Sequence, residues 1–243
     1  MRTEPLTLAT DNAAAFWTAV GQARGYALTR RPGFLAVDGD DQAGLRILLL
    51  RGHPSGDDLS ELIALVRKYA GGRVVVEDAF GSVDMSPLGL AARQLPVMIR
   101  RPGPPMPAPA VEVSRVTSPD ELQTAERIVV DGFALEHFQP YRPGVVFPPA
   151  LLDRVELYLA AVDGTPAGAC LAIPDAGAVG LYWVTTMPEF RSRGVGRSIM
   201  HEVLNRFDTL PMILTASRAG RPLYESLGFE TIVDATWWVQ PGV

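Results

Sequence analysis

The chain has 243 residues, of which 47% are hydrophobic and 20% charged, a composition that folds and buries enough core for one large domain or two ordinary ones. A net charge of -5 argues against a nucleic-acid surface over the whole molecule, and no run of about 18 apolar residues could span a membrane. The single cysteine, Cys170, can form no internal disulfide and MRTEPLTLATD lacks the apolar centre of a secretory signal, so the expected compartment is a reduced cytoplasm.

In the first half, TDNAAAFWTAVGQARGY reads as a helix opened by Thr10-Asp11, followed by strand-like GFLAVDG and LRILLLRG. A helix, GDDLSELIALVRKY, carries Leu59, Leu62, Ile63 and Val66 on one stripe; Asp57 and Asp58 in its first turn would repel a phosphate. Strand GRVVVEDAF, a short helical piece SPLGLAARQ and strand PVMIRR complete an α+β pattern. The proline-rich RRPGPPMPAPA then favours extended, semi-rigid backbone. The expected domains are therefore 1–100 and 111–243, joined by a linker at 101–110.

The second half opens with VEVSRV as a strand and a helix started by Ser118, Pro119, Asp120 and Glu121: a cap, a proline at the first helical position, and acids in the first turn. After the proline- and aromatic-rich ALEHFQPYRPGVVFPPALLD, two strands meet at Asp163-Gly164, a hairpin signal. Strand VGLYWVTT runs into MPEFRSRGVGRSIM, where Val195, Ile199, Val203 and Phe207 recur as one face of a helix. PMILTAS is a strand, AGRPLYESLG a short helix, and FETIVDATWWVQ the last strand.

This half holds most of the acidity, yet it places Arg191, Arg193 and Arg197 beside Gly194 and Gly196 at one turn. A glycine-rich turn between a strand and a helix exposes main-chain N–H groups at the positive end of the helix dipole, which suits an anion. A P-loop is excluded because no Gly-Lys-Ser/Thr is present, and a dinucleotide fingerprint because Ile199 stands where its third glycine belongs.

RSRGVG, preceded by VTTMPEF and followed by LYESLGF, resembles the GCN5-related N-acetyltransferase (GNAT) family over residues 111–243. The resemblance implies a layered α+β fold with a mixed central sheet, acetyl-CoA as cosubstrate, and direct attack by the amine of a small molecule, peptide or protein. Main-chain groups of Val184, Thr185 and Thr186 would bind the pantetheine arm. The amides of Arg191, Ser192, Arg193, Gly194, Val195, Gly196 and Arg197 would cradle the pyrophosphate. Ser217 stands where many relatives carry a cofactor-binding asparagine, and Tyr224 matches the tyrosine that protonates the departing thiolate.

Some relatives carry a glutamate base where Gly180 stands; here the candidates are Glu136, His137, or Tyr182 acting through water. Phe138, Tyr141 and Phe147 give an acceptor pocket apolar walls. His53, His137 and His201 are scattered, so no metal is expected. The first half looks like a degenerate copy of the same fold in tandem, without the turn or the tyrosine, or else an unrelated α+β module. The remaining expectations are a monomer or homodimer, no nucleic acid and no membrane. A non-catalytic acyl-CoA-binding module is the competing reading.

Overall fold

The computed structural model describes residues 3–69 and 71–241. The chain packs as two units, Met1–Ile99 with Leu214–Val243, and Arg100–Ile213.

The first unit runs α1 (Thr3–Arg24), β1 (Ala27–Arg30), β2 (Phe34–Asp38), β3 (Leu45–Leu49), α2 (Gly56–Lys68), β4 (Val74–Asp78) and β5 (Ala91–Arg100). Strands β1, β2 and β3 are antiparallel neighbours, and β4 lies parallel to β3. Successive strand residues face opposite sides. Phe34 and Ala36 pack with Leu62 and Val66 of α2, whereas Leu35 and Val37 pack with Ala14 and Trp17 of α1, so the two helices cover opposite faces. Leu62 is fully buried, and Leu62→Ala would cost about 2–5 kcal/mol.

Three sequence expectations change here. Thr10-Asp11 does not open α1, which runs through it; the Thr10 hydroxyl donates to the Leu6 carbonyl at 3.1 Å, and Pro5 fits the first turn, where no amide partner is lost. Strand β1 was not expected, and Ala91–Gln94 is strand instead of helix.

The second unit runs β6 (Glu112–Arg115), α3 (Pro119–Gly132), β7 (Glu156–Val162), β8 (Thr165–Asp175), β9 (Ala178–Thr186), α4 (Val195–Arg206) and β10 (Met212–Thr215), with the division between units falling inside β10. Its strand order is β10-β9-β8-β7-β6, antiparallel throughout except for the parallel β9–β10 pair. Ser118 and Glu121 form a complete capping box at α3. Asp163 and Gly164 have φ of 52° and 75°, as a two-residue hairpin turn requires.

The chain closes with α5 (Arg221–Ser226) and β11 (Glu230–Val239), both in the first unit. Strand β11 pairs antiparallel with β4 and along β5 from Glu230↔Ile99 to Val239↔Ala91. This pairing explains why Ala91–Gln94 is extended: tertiary partners override a helical propensity. It also groups residues 214–243 with the first unit, where the sequence suggested a division at 101–110 alone. Trp237 and Trp238 are half-buried strand residues. The Arg46 guanidinium lies over the rings of Trp17 and Trp237 at 4.0 and 5.3 Å and pairs with Glu77.

Both units repeat one order, a helix, three antiparallel strands, a second helix, and a strand parallel to its predecessor. Each is α+β with a mixed sheet between helices.

Candidate functional site

The turn before α4 is built from left-handed backbone. Ser192 and Gly194 have φ of 62° and 80°, and Gly194 caps the helix without any side-chain acceptor. The first helical bond shown is Ser198 N–H to Gly194 C=O at 2.9 Å. The first-turn amides therefore gain no side-chain acceptor from the cap and lie at the positive end of the dipole. Arg191, Arg193 and Arg197 are exposed around them. Arg191 Nε donates to Thr186 C=O at 3.4 Å; Arg193 lies 3.7 Å from Asp163 and 5.5 Å over the Phe190 ring.

The start of α2 in the other unit is the contrasting case. Ser55 Oγ accepts from Asp58 N–H at 3.1 Å, and the Asp58 carboxylate accepts from Gly33 N–H at 3.0 Å. That helix start carries a side-chain cap, and the start of α4 does not.

Helix α4 is seated through Gly168 of β8. A Cβ there would stand 2.7 Å from Val195 Cγ1, 3.1 Å from Ile199 Cδ1 and 2.8 Å from Thr185 O. Only glycine lets the first turn of α4 lie on the sheet. Phe207, expected on the same face, is the half-buried C-cap, with Arg206 5.4 Å over its ring.

The other long edge of α4 holds the proline-rich segment. Asn205 accepts from Met106 N–H at 2.7 Å and donates back to Met106 C=O at 3.1 Å. Ser198 Oγ, buried, accepts from Ala110 and Val111 N–H at 3.0 and 3.3 Å. His201, between them on the helix, bonds the Pro107 main chain; burial and the Arg197 charge hold its pKa below the ordinary imidazole value. The segment read as a linker is thus a strap tied to α4.

Strand β9 carries a bulge where its register with β8 shifts, and Trp183 sits there at φ 50°. Its ring packs 5.1 Å from that of Phe147. Met187 N–H donates to Ala167 C=O, so alternation aims the main-chain groups of Thr185 at β8 and those of Thr186 at the opposite edge. Of the residues expected to meet the pantetheine arm, Thr186 offers its backbone outward, while the Thr185 side chain is buried with its Oγ1 close against Gly132 of α3. Val184 is half-buried at the bulge.

Tyr224 and Ser217 belong to the first unit. The Tyr224 ring is buried against Gly220 and edge-on to Phe229 at 5.8 Å; Ser217 Oγ accepts from Gly220 N–H at 3.1 Å. Among the base candidates, Glu136 is exposed, His137 lies 4.3 Å from the Phe138 ring in the same 3-10 turn (Glu136–Phe138), and Tyr182 pairs with Leu171. Gly180 lies between Ile173 of β8 and Ile213 of β10. Among the described residues no group of His, Cys, Asp or Glu could hold a metal, and no helix is long and apolar enough to cross a membrane. Cys170 is buried, and burial pushes its thiol pKa far up, which makes it inert.

One residue of this region was not anticipated. Glu126 of α3 is fully buried, and its carboxylate accepts from Tyr141 O–H at 2.9 Å and from the N–H groups of Gly144, Val146 and Phe147 at 2.7, 2.6 and 3.0 Å. The signal was in the sequence: Glu126 falls among Leu122, Ala125 and Val129 on the stripe that should be apolar. Burial and the Glu126 carboxylate together raise the Tyr141 phenol well above its ordinary pKa.

Residues 153–231 match the model of the acetyltransferase (GNAT) domain. That match contains the strand, turn and helix just described, and Tyr224 as well. Solved structures extend the likeness along the chain: a GCN5-related N-acetyltransferase from Kribbella flavida superposes with a TM-score of 0.63 at 18% identity, covering 95% of this chain and 96% of that one. A GNAT-family protein from Novosphingobium aromaticivorans gives 0.61 at 15% identity over 94% and 96%, and a GCN5-related N-acetyltransferase from Sphaerobacter thermophilus 0.54 at 19% over 87% and 78%. At these identities the shared property is the GNAT fold. No curated protein matches the sequence.

Proposed function

We propose that the protein is an acetyl-CoA-dependent N-acetyltransferase in which the turn 191–197 binds the cofactor's pyrophosphate. The observation that carries this reading is the open start of α4: Gly194 at φ 80° with no side-chain cap, ringed by three exposed arginines. Helix-start amides without a side-chain cap and guanidinium groups together bind a diphosphate better than either alone, because charge-assisted hydrogen bonds are roughly twice as strong as neutral ones. The outward N–H of Thr186, whose carbonyl accepts from Arg191 Nε, supports an added pantetheine strand beside β9. Tyr224 would then give its proton to the departing thiolate, a contribution of about 10²–10⁴ in rate for positioned general acids. The acceptor is an amine, and the protein works as a monomer or homodimer in the cytoplasm. The first unit is a degenerate copy of the GNAT fold that binds no acetyl-CoA, consistent with the side-chain-capped start of α2.

Gly196→Asp places a carboxylate in the anion site. It should abolish the rise in melting temperature that CoA causes in the wild type; an unchanged rise would sink the assignment of the turn. A second reading, a CoA-binding module without catalysis, is favoured by one observation: Gly180 offers no base on β9. Thiol release from acetyl-CoA across a panel of amines, with Tyr224→Phe alongside, separates the two. CoA binding without turnover on any amine would establish the second.

A further inference from the structure

We infer that Glu126 is a positioning residue of the acceptor site, fixing the loop 141–147 and, through Phe147, the side chain at the bulge of β9. The inference rests on the acetyltransferase reading and goes beyond it, since it assigns the shaping of the amine site to a residue that touches neither substrate.

Four donors converge on one fully buried carboxylate, and both oxygens are used: Oε2 takes Tyr141 O–H and Gly144 N–H, and Oε1 takes Val146 and Phe147 N–H. Tyr141 O–H also lies 3.1 Å from Gln123 C=O, so both of its contacts lead to α3. A loop rich in proline has few amides to satisfy by pairing with itself. Here the amides of Gly144, Val146 and Phe147 all go to a single side chain that the sheet-packed helix α3 holds still. Because the carboxylate is enclosed by donors, Glu126 is not the general base; its role is geometric.

The consequence reaches the reacting strand in two steps. Phe147 donates its N–H to Glu126, is itself fully buried, and lays its ring 5.1 Å from Trp183. Trp183 is held at φ 50°, a conformation that costs a bulky residue energy and persists only where the surroundings over-determine it. It stands between Tyr182, a base candidate, and Val184, at the place where the proposed thioester arm begins. Neutralising Glu126 leaves the loop amides facing an amide N–H donor, the loop relaxes, and the wall beside the amine moves while the turn at 191–197 stays put.

The test uses the full chain with Glu126→Gln, and Tyr141→Phe as a milder variant that removes one donor of the four and carries the same readouts if Glu126→Gln does not fold. Amide hydrogen exchange, the CoA-induced thermal shift, and steady-state kinetics with phenethylamine, putrescine and a lysine-containing peptide are measured. The expected result is faster exchange at Gly144, Val146 and Phe147, a drop of about tenfold or more in kcat/KM for the amine, and an unchanged KM for acetyl-CoA and unchanged thermal shift. Tyr141→Phe moves the same quantities less. Protected loop amides in the variant would overturn the tie; released amides with unaltered amine kinetics, or an acetyl-CoA KM that rises in step, would overturn the positioning role. If the active wild type is never found with any amine, the acetyltransferase reading itself falls and this inference with it, a failure seen in the wild type and not in the variants.

Discussion

Two-residue hairpin tips expose how local backbone chemistry is met by the side chains at hand. At the β7–β8 turn, Asp163 with φ 52° precedes Gly164, an economical pair for left-handed backbone; at the β8–β9 turn the same geometry is met by Ala176 at φ 54° before Gly177. Alanine in that region costs roughly 1–2 kcal/mol, whereas asparagine tolerates it. Ala176→Asn should therefore stabilise by about 0.5–1 kcal/mol and raise the melting temperature by a few degrees at this chain length, measured by calorimetry. Gly168→Ala should act the other way, by about 1–3 kcal/mol, because its methyl meets Val195 and the Thr185 carbonyl at 2.7 and 2.8 Å. The glycines and arginines of the turn were legible because their chemistry is local. The positive φ of Trp183 was not, since nothing in LYWVTT marks a bulge, and Glu126 was visible only as an acid on an apolar stripe whose partners lie about 20 residues downstream.

Helix α4 gathers the functional argument at the level of elements. One end presents the open turn, one face rests on Gly168, and Ser198, His201 and Asn205 follow the strap 106–111 at a spacing that keeps them on a single edge. Elements with their own periodicity, such as α2, α3 and α4, could be read from sequence. The strap could not, because proline content signals extended backbone without saying what receives it. Nor could the extended state of Ala91–Gln94, which exists through pairing with β11 far along the chain. Asn205→Ala removes both bonds to Met106 and should cost about 1–2 kcal/mol. Hydrogen exchange checks it: the Met106 amide should lose protection while those of Ala110 and Val111, held by Ser198, keep theirs. Equal loss at all three would mean that the strap is a single cooperative element.

For the molecule as a whole, His201 and the lowered carboxyls make acid a destabilising direction below neutrality, with Glu77, whose burial raises its carboxyl, acting the other way. Burial and the Arg197 charge hold the His201 pKa below its ordinary 6.5, so between that value and the folded one the unfolded chain binds more protons and stability falls as pH falls. A second decline begins below about 4.5, where four carboxyls have depressed folded values, Asp84 among them through its bonds to Ser86. Glu61 is held down by Arg31, and Glu121 by the N–H groups of Thr117 and Ser118 at the α3 cap. Burial raises the Glu156 carboxyl, but its bonds to Tyr158 and Arg206 outweigh that and leave it lowered. Their stability is present above 4.5 and lost as each is protonated. Melting temperature against pH should therefore fall in two stages, a shallow one starting near 6.5 and a steeper one below about 4.5. His201→Gln should flatten the first stage and leave the second. Pyrophosphate beside Arg197 would offset the charge that opposes protonation of His201 and bring its folded pKa closer to 6.5, so saturating CoA should shrink the first stage without moving its onset; a first stage that survives His201→Gln would assign it to other groups.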